Sequence, residues 1–491
     1  MAAAVGPKPA GQNPEEDYFG VAGQVGAEVD YTVPNPLDPP SGFTSYSVEE
    51  MRAIREMREA LNRTYQLYGF TPFDPPPVQY AKNLLAVGGM KEIFGVSRLQ
   101  GAQPTKYALP FDRTVPLALF LAKNFSEVTF PFARSDIEWV FRGEKAAPGR
   151  YRGFIQADVD VVGPQVGPDA DAQCIAALVA GLRALKVPHF SVLLNHVDIA
   201  KSFLRDAGIR PDLYKDALRV IDKLKPDNRE AVVTELIEKV PGMARQSAEQ
   251  LLDKMSYRGP LSGFQYPGAP SEEAARALQH LQQVVAMAGA MGVPADCLQF
   301  SANLARGLTY YTGIVFETFI QGHERYGSVA SGGRYDNLVE DFKPGLKLQG
   351  VGGSIGLTRL FDVLKALKVV DLTRQTTAQV YVCSRESSLV TTAVKVATAL
   401  REKGIFTELS FAPQKIKAEL GIAANKGIPY VVMVMQRKEI VVRRVFVRDN
   451  ESEDNRNAEI EQESYESIEE VANRVAALTA TQPMRREEAK E

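Results

Sequence analysis

Trp139-Val140-Phe141-Arg142-Gly143-Glu144, Lys145-Ala146-Ala147-Pro148 and Gly149-Arg150-Tyr151-Arg152-Gly153-Phe154-Ile155-Gln156 run on to Val162 as one continuous segment. Apolar residues gather at its two ends, and a polar loop containing Gly149 lies between them. Two short apolar runs separated by such a loop predict two strands of an antiparallel hairpin. On the second strand Gln156 and Asp160 are four residues apart, so both project to the same face.

Around the hairpin, short apolar runs alternate with loops from Phe111 to Gly163. Upstream, Ser47 and Glu50 form a capping box, and Met51, Ile54, Leu61, Tyr65 and Tyr68 recur near helical spacing until Gly69. The segment after it, Phe70-Thr71-Pro72-Phe73-Asp74-Pro75-Pro76-Pro77, is too proline-dense for helix and predicts an extended edge segment. Downstream, the pattern from about Pro188 to Cys297 is mostly helical, with helices expected near Ala231–Lys239, Arg245–Met255 and Ser271–Gly289. Strand character returns at Leu298–Phe300, Tyr310–Phe319 and Tyr326–Val329, followed by a glycine-rich stretch and a helix from Leu357 to about Lys368. One antiparallel sheet assembled from distant segments, interrupted by a helical insertion, is the architecture these signals imply.

Beyond Asp371 the texture changes to strand Ala378–Cys383, helix Ser388–Lys403, strand Phe406–Leu409, helix Pro413–Lys426 and strand Tyr430–Met435. That alternation predicts a separate α/β domain with parallel strands. Arg443, Arg444 and Arg448 follow on a β-branched run, and the stretch from Glu451 to Glu470 is strongly acidic. The expected organisation is a flexible tail over 1–38, a core over 39–375 with its insertion at about 195–297, an α/β domain over 376–480 and a charged tail over 481–491.

At 491 residues, 45% hydrophobic and 24% charged, the chain has the composition of a folded protein of two to four domains. A net charge of -3 excludes a basic coat for nucleic acid, while leaving room for local positive surfaces. Cys174, Cys297 and Cys383 are too few and too scattered for a disulfide framework or a zinc site, which predicts a reducing, cytoplasmic setting. No apolar run reaches the ~20 residues of a membrane helix, and no membrane association is expected. The N-terminal stretch, rich in Gly, Pro and Ala and carrying Glu15, Glu16 and Asp17, resembles neither a secretory signal nor a transit peptide.

Five segments, in order, resemble the class II aminoacyl-tRNA synthetases, and histidyl-tRNA synthetases in particular. The helix with Gly69-Phe70 and Pro76 is similar to motif 1, Val140–Gln156 to motif 2, and Gly352-Gly353-Ser354-Ile355-Gly356-Leu357-Thr358-Arg359-Leu360 to motif 3. Ala305-Arg306-Gly307-Leu308-Thr309-Tyr310-Tyr311-Thr312-Gly313 and Ser331-Gly332-Gly333-Arg334-Tyr335-Asp336 resemble two signatures of the histidine family. The resemblance implies an α+β catalytic core, with a class II antiparallel sheet, flanking helices and a helical insertion, plus a C-terminal α/β anticodon-binding domain. It also implies a homodimer built on motif 1.

The implied reaction activates histidine with ATP to histidyl-adenylate and pyrophosphate, then passes histidine to the 3′ end of tRNA(His). Attack of a carboxylate on the α-phosphorus builds negative charge on phosphate oxygens, which fixed cations and a divalent metal stabilise. By motif position Arg142 holds the α-phosphate, Glu144 orients the adenine, Arg150 and Arg152 meet ATP or the tRNA acceptor end, and Arg359 reaches the γ-phosphate. Arg306 takes up charge at the α-phosphate. Magnesium accompanies the ATP phosphates, and no protein metal ligands are implied. Asp112 and Thr114 match the pair that holds the α-ammonium group; Gln156, Asp160, Tyr310, Tyr311 and Tyr335 match the rest of the histidine pocket. Pro110 and Thr309 depart from the arginine and aspartate that many relatives carry there. Two other functions are weighed against this one. A histidine-sensing regulatory subunit of ATP phosphoribosyltransferase need not keep the ATP-binding arginines or an anticodon-binding domain, and a tRNA-binding scaffold would leave Arg142, Arg306 and Arg359 unexplained.

Overall fold

The computed structural model describes residues 35, 37–86, 93–98, 105–147, 149–225, 228–305, 311–445 and 462–480. Arg306, Thr309, Tyr310 and Arg448 lie outside the described residues, as do nearly all of the 1–38 tail, much of the acidic 451–470 run and the 481–491 tail. The chain divides into two compact units, residues 1–44 with 58–366, and residues 45–57 with 367–491.

Helix α1 (Val48–Leu67) starts where the capping box places it. Ser47 N–H donates to the Glu50 carboxylate at 2.8 Å and Glu50 N–H to Ser47 Oγ at 3.3 Å, satisfying two donors that a helix start leaves open. Its buried stripe is Ala53, Ile54, Met57, Leu61 and Tyr65, while Met51, expected in that stripe, is 40% exposed.

The first unit is built on a sheet that has nine strands among the described residues. In chain order these are β1 (Thr71–Pro72), β2 (Phe132–Phe141), β3 (Gly153–Gly163), β4 (Phe190–His196), β5 (Arg258–Gly259), β6 (Leu298–Ser301), β7 (Ile314–Ile320), β8 (Ala330–Arg334) and β9 (Gln349–Gly356). They lie side by side as β1-β2-β3-β9-β8-β7-β4-β6-β5. The β1–β2 and β4–β6 pairs are parallel and the others antiparallel. Pro72 is tolerated in β1 because that strand is at the sheet edge, where a missing N–H costs no ladder bond.

The expected hairpin is present and longer than its apolar ends suggested, with β2 and β3 paired from Phe132↔Val162 to Phe141↔Gly153. Gly149 turns the connecting loop at φ 71°. Three further segments differ from expectation. Phe190–His196, assigned to the helical stretch, is a strand in mid-sheet with six of its seven residues buried. Burial on both faces removes the polar alternation that identifies a strand in sequence. Tyr326–Val329 is not a strand; the strand is Ala330–Arg334, and the glycine-rich stretch is itself β9. Glycine is required there by close approach: a Cβ on Gly332 would stand 2.3 Å from the carbonyl oxygen of Gly352.

Helix α2 (Thr114–Asn124) precedes the hairpin, and α3 (Pro168–Ala184) packs across β3 and β9. After β4 come α4 (Val197–Asp206), α5 (Tyr214–Ile221), α6 (Arg229–Lys239), α7 (Arg245–Lys254) and α8 (Glu272–Ala290), interrupted by the short β5. Ser271 caps α8 by accepting the Ala274 N–H at 3.2 Å. Helix α9 (Leu357–Ala366) closes the unit.

The second unit has its own sheet of β10 (Val380–Ser384), β11 (Thr407–Leu409), β12 (Tyr430–Gln436), β13 (Glu439–Arg444) and β14 (Gln462–Tyr465), ordered β11-β10-β12-β13-β14. The first three are parallel, as the alternation predicts, and β13 and β14 add on antiparallel. Helices α10 (Val390–Glu402), α11 (Ile416–Lys426) and α12 (Ile468–Ala480) complete it, and Gly427 ends α11 in the left-handed region at φ 71°.

Candidate active site

Strand β3 alternates Ile155, Ala157, Val159 and Val161, all buried, with Gln156, Asp158 and Asp160. The period of two sends the second set to the opposite face from the apolar one. Across the β2 pairing Gln156, Asp158 and Asp160 stand opposite Glu138, Asp136 and Arg134; across the β9 pairing they stand opposite Gly356, Ser354 and Gly352. A cavity opens over this face. It is walled by Asp112 and Thr114 at the start of α2, Arg142 beyond β2, Tyr311, Ser331 and Tyr335, over a floor of Gln156, Asp158, Asp160 and Gly352–Ser354.

Beneath it, the fully buried Arg134 gathers the acidic floor: its guanidinium is 2.7 Å from Asp160, 3.4 Å from Asp136 and 3.8 Å from Asp158. Arg113, also buried, donates to Asp136 at 2.7 Å. A buried cation surrounded by carboxylates repays its desolvation only through such pairing. The Tyr335 hydroxyl donates to Asp160 Oδ1 at 2.5 Å; Arg134 approaches Oδ2 as an ion pair without hydrogen-bond alignment. Gln156 Nε2 donates to Ser354 Oγ at 3.0 Å, and Ser354 stands opposite Asp158 across the β3–β9 pairing. Two buried acceptors on this floor have no hydrogen-bond partner in the protein, Gln156 Oε1 and Asp158 Oδ1.

Burial pushes the Asp158 carboxyl up to about 7, with Arg134 opposing and Asp160 adding to the rise. Burial likewise pushes Asp112 up to about 6, against the Val115 N–H, which Asp112 Oδ1 accepts at 3.1 Å, and the charge of Arg142. Asp160 is raised by burial and held back by Arg134 and the Tyr335 hydroxyl. Acceptors packed this closely suit a ligand rich in N–H donors.

Arg142 is held at the cavity wall by Nε donating to the Phe111 carbonyl at 3.1 Å and by its guanidinium lying 5.1 Å from the centre of the Phe154 ring. Arg359, on the first turn of α9, donates to the carbonyls of Gly149 at 3.0 Å and Ser328 at 2.9 Å, so it touches the hairpin loop. Arg152 also braces that loop, donating to the Glu144 carbonyl at 3.1 Å.

Of the residues expected at the site, the fold brings Asp112, Thr114, Arg142, Gln156, Asp160, Tyr311 and Tyr335 to one cavity. Glu144, Arg150 and Arg359 do not line it; Glu144 and Arg150 are exposed on the loop. Arg306 and Tyr310 lie outside the described residues. Sequence reasoning missed Asp158, Ser331, Ser354 and the buried Arg134. Asp158 carried a usable signal, since it sits midway between Gln156 and Asp160 on the same parity; Arg134 carried none, because its role depends on strand register.

Comparison with known proteins matches these observations. The family model for histidyl-tRNA synthetase matches residues 42–360, and that for the anticodon binding domain matches residues 379–472. A histidine–tRNA ligase of Wolinella succinogenes is 34% identical over 405 residues, covering 80% of this chain and 89% of the relative. One from Helicobacter pylori is 33% identical over 404 residues, with the same coverage. The crystal structure of histidyl-tRNA synthetase from Nostoc sp. PCC 7120 superposes with a TM-score of 0.78 at 29% identity, covering 90% of this chain and 100% of that one. The chain belongs to the histidyl-tRNA synthetase family.

Proposed function

We propose that the chain is a histidine–tRNA ligase that joins histidine to its tRNA at the expense of ATP. The observation that carries this reading is the cavity floor, where Gln156 Oε1 and Asp158 Oδ1 await donors beside Asp112. Histidine brings an ammonium group and a ring N–H to such a set. Asp112 and Thr114 take the ammonium. Tyr335 commits its proton to Asp160, so its oxygen is left to accept from the ring, while Tyr310, Tyr311 and Gln156 enclose the imidazole.

In the first step an oxygen of the histidine carboxylate bonds to the α-phosphorus of ATP, and pyrophosphate leaves with the electrons of the broken P–O bond. Arg142 and Arg306 stabilise charge growing on the α-phosphate, since a guanidinium can pair with two phosphate oxygens. Glu144 orients the adenine, and Arg150 and Arg359 meet the outer phosphates. Magnesium arrives as part of the ATP substrate and neutralises phosphate charge; among the described residues no group of three His, Cys, Asp or Glu side chains forms a metal-holding cluster. In the second step a hydroxyl of the terminal ribose of tRNA attacks the histidyl carbonyl and AMP leaves.

Residues 39–375, with the insertion at about 195–297, carry the catalysis, and residues 376–480 bind the anticodon. The match to an anticodon-binding domain favours the ligase over a histidine-sensing regulatory subunit. The working form is a homodimer: β1 has a sheet partner on one side only and both its residues are exposed, an open edge of the kind a second copy can cover. A monomer mass by light scattering, for fully active enzyme, would contradict the pairing. The location is cytoplasmic, in keeping with three cysteines that are all free; among the described residues no helix is long and apolar enough to cross a membrane. ATP–pyrophosphate exchange with each of the twenty amino acids, followed by tRNA charging, tests the whole reading. Exchange should depend on histidine, and exchange driven equally by another amino acid would overturn it.

A further inference from the structure

Phe411 in the second unit is 95% exposed, more than any other described large hydrophobic residue. It stands on the loop between β11 and α11, whose residues on either side of it are tied down from beneath. Glu419, with no solvent exposure, accepts the Ser410 hydroxyl at 3.0 Å and the Gln414 N–H at 3.0 Å through one oxygen, and the Tyr381 hydroxyl at 2.7 Å through the other. The Ser410 N–H also donates to the Val382 carbonyl at 2.8 Å. One oxygen of a buried carboxylate thus holds the loop on both sides of Phe411, while its other oxygen is anchored to Tyr381 of β10, and the ring is left in water. Such an arrangement pre-organises the ring for a partner instead of folding it into the core.

The surroundings specify the partner. From Ser410 to Ala418 the sequence is Ser-Phe-Ala-Pro-Gln-Lys-Ile-Lys-Ala, with no acidic residue, and Gln414, Lys415 and Lys417 are exposed. Protein-docking patches are contiguous apolar areas, whereas the exposed residues that follow Phe411 on this loop are the small Ala412 and then Gln414, Lys415 and Lys417, with their amide and ammonium groups. Unpaired nucleotides are bound by that combination, a base stacked on an aromatic face with cations on the adjoining phosphates. The loop lies within the segment that matches the anticodon-binding domain.

We propose that Phe411 is a stacking platform for an unpaired base of the tRNA anticodon loop, with Lys415 and Lys417 meeting the neighbouring phosphates. The inference rests on tRNA being the second substrate. It is tested in the full-length enzyme by comparing tRNA charging with ATP–pyrophosphate exchange for F411A and F411W. F411A should lower kcat/KM for tRNA by about tenfold, mainly through KM, while F411W stays within about twofold of the parent and exchange is unchanged in both. On a minihelix carrying the acceptor stem but no anticodon loop, F411A should charge as well as the parent. Undiminished charging of full tRNA by F411A, or an equal loss on the minihelix, would overturn the stacking role alone. A parent enzyme showing no histidine-dependent exchange would instead sink the ligase reading, and the stacking role with it.

Discussion

The Tyr335 hydroxyl sits 2.5 Å from Asp160 Oδ1 while Arg134 closes on Oδ2 at 2.7 Å, so Asp160 is claimed by the protein before any ligand arrives. Under the proposed reading, Asp160 acts on a bound imidazole through the hydroxyl it orients. Tyr335→Phe removes that hydroxyl and nothing else, and should raise KM for histidine about tenfold or more with KM for ATP unchanged. Asp160→Ala should do worse, because it also removes the nearest counter-charge of the buried Arg134 and leaves the more distant Asp136 and Asp158 to balance it, a loss that should also lower stability, by up to ~3–5 kcal/mol. Exchange kinetics with ring analogues, alongside denaturant titration, separate the two effects. A Tyr335→Phe enzyme with unaltered histidine KM would remove Tyr335 from ring recognition.

Asp158 makes stability depend on pH with a definite sign. Burial raises its folded carboxyl to about 7, above the ordinary aspartate value of the unfolded chain. Stability gained from the retained proton is full below the unfolded value and lost as pH rises through about 7; Asp112, raised to about 6, contributes in the same direction. Asp158→Asn cannot ionise and should escape its share of this loss, gaining roughly 1–4 kcal/mol over the parent at pH 8 and less at pH 5. Chemical denaturation at the two pH values measures it. The same variant should bind histidine more weakly at pH 8, since an amide N–H replaces part of an acceptor set. A stability gain independent of pH would show that Asp158 does not titrate in this range.

Gly352 is held to glycine by the site itself. A Cβ there would fall 2.0 Å from Asp160 Oδ1 and 2.8 Å from the Val159 carbonyl oxygen. Neither atom can retreat easily, one being tied to Tyr335 and the other belonging to the strand backbone. Gly352→Ala should therefore cost ~1–3 kcal/mol of stability and displace Asp160, lowering kcat/KM for histidine by more than about tenfold. Wild-type activity and melting temperature in this variant would show that β3 and β9 have more slack than their packing indicates.

The sequence by itself determined most of the local pieces, because each is written in neighbouring residues. The Ser47–Glu50 capping box starts α1, Gly149 turns the hairpin, and the alternation beyond Asp371 builds the three parallel strands of the second sheet. It also singled out Asp112, Thr114, Arg142, Gln156, Asp160, Tyr311 and Tyr335, which come to one cavity although up to 223 positions separate them (Asp112 to Tyr335). Strand pairing, in contrast, is set by contacts between segments distant in the chain. Phe190–His196 is a strand because β7 and β6 flank it, and Ala330–Arg334 is one because its glycines let β9 approach. Arg134 becomes the centre of the acidic floor only through a register that sets it opposite Asp160, and Ser354 meets the Gln156 amide only because β9 pairs with β3. Short-range periodicity carries the propensity of a segment to be helix or strand, but burial on both faces and the charge balance of a buried group are properties of neighbours distant in the chain, and no local pattern encodes them.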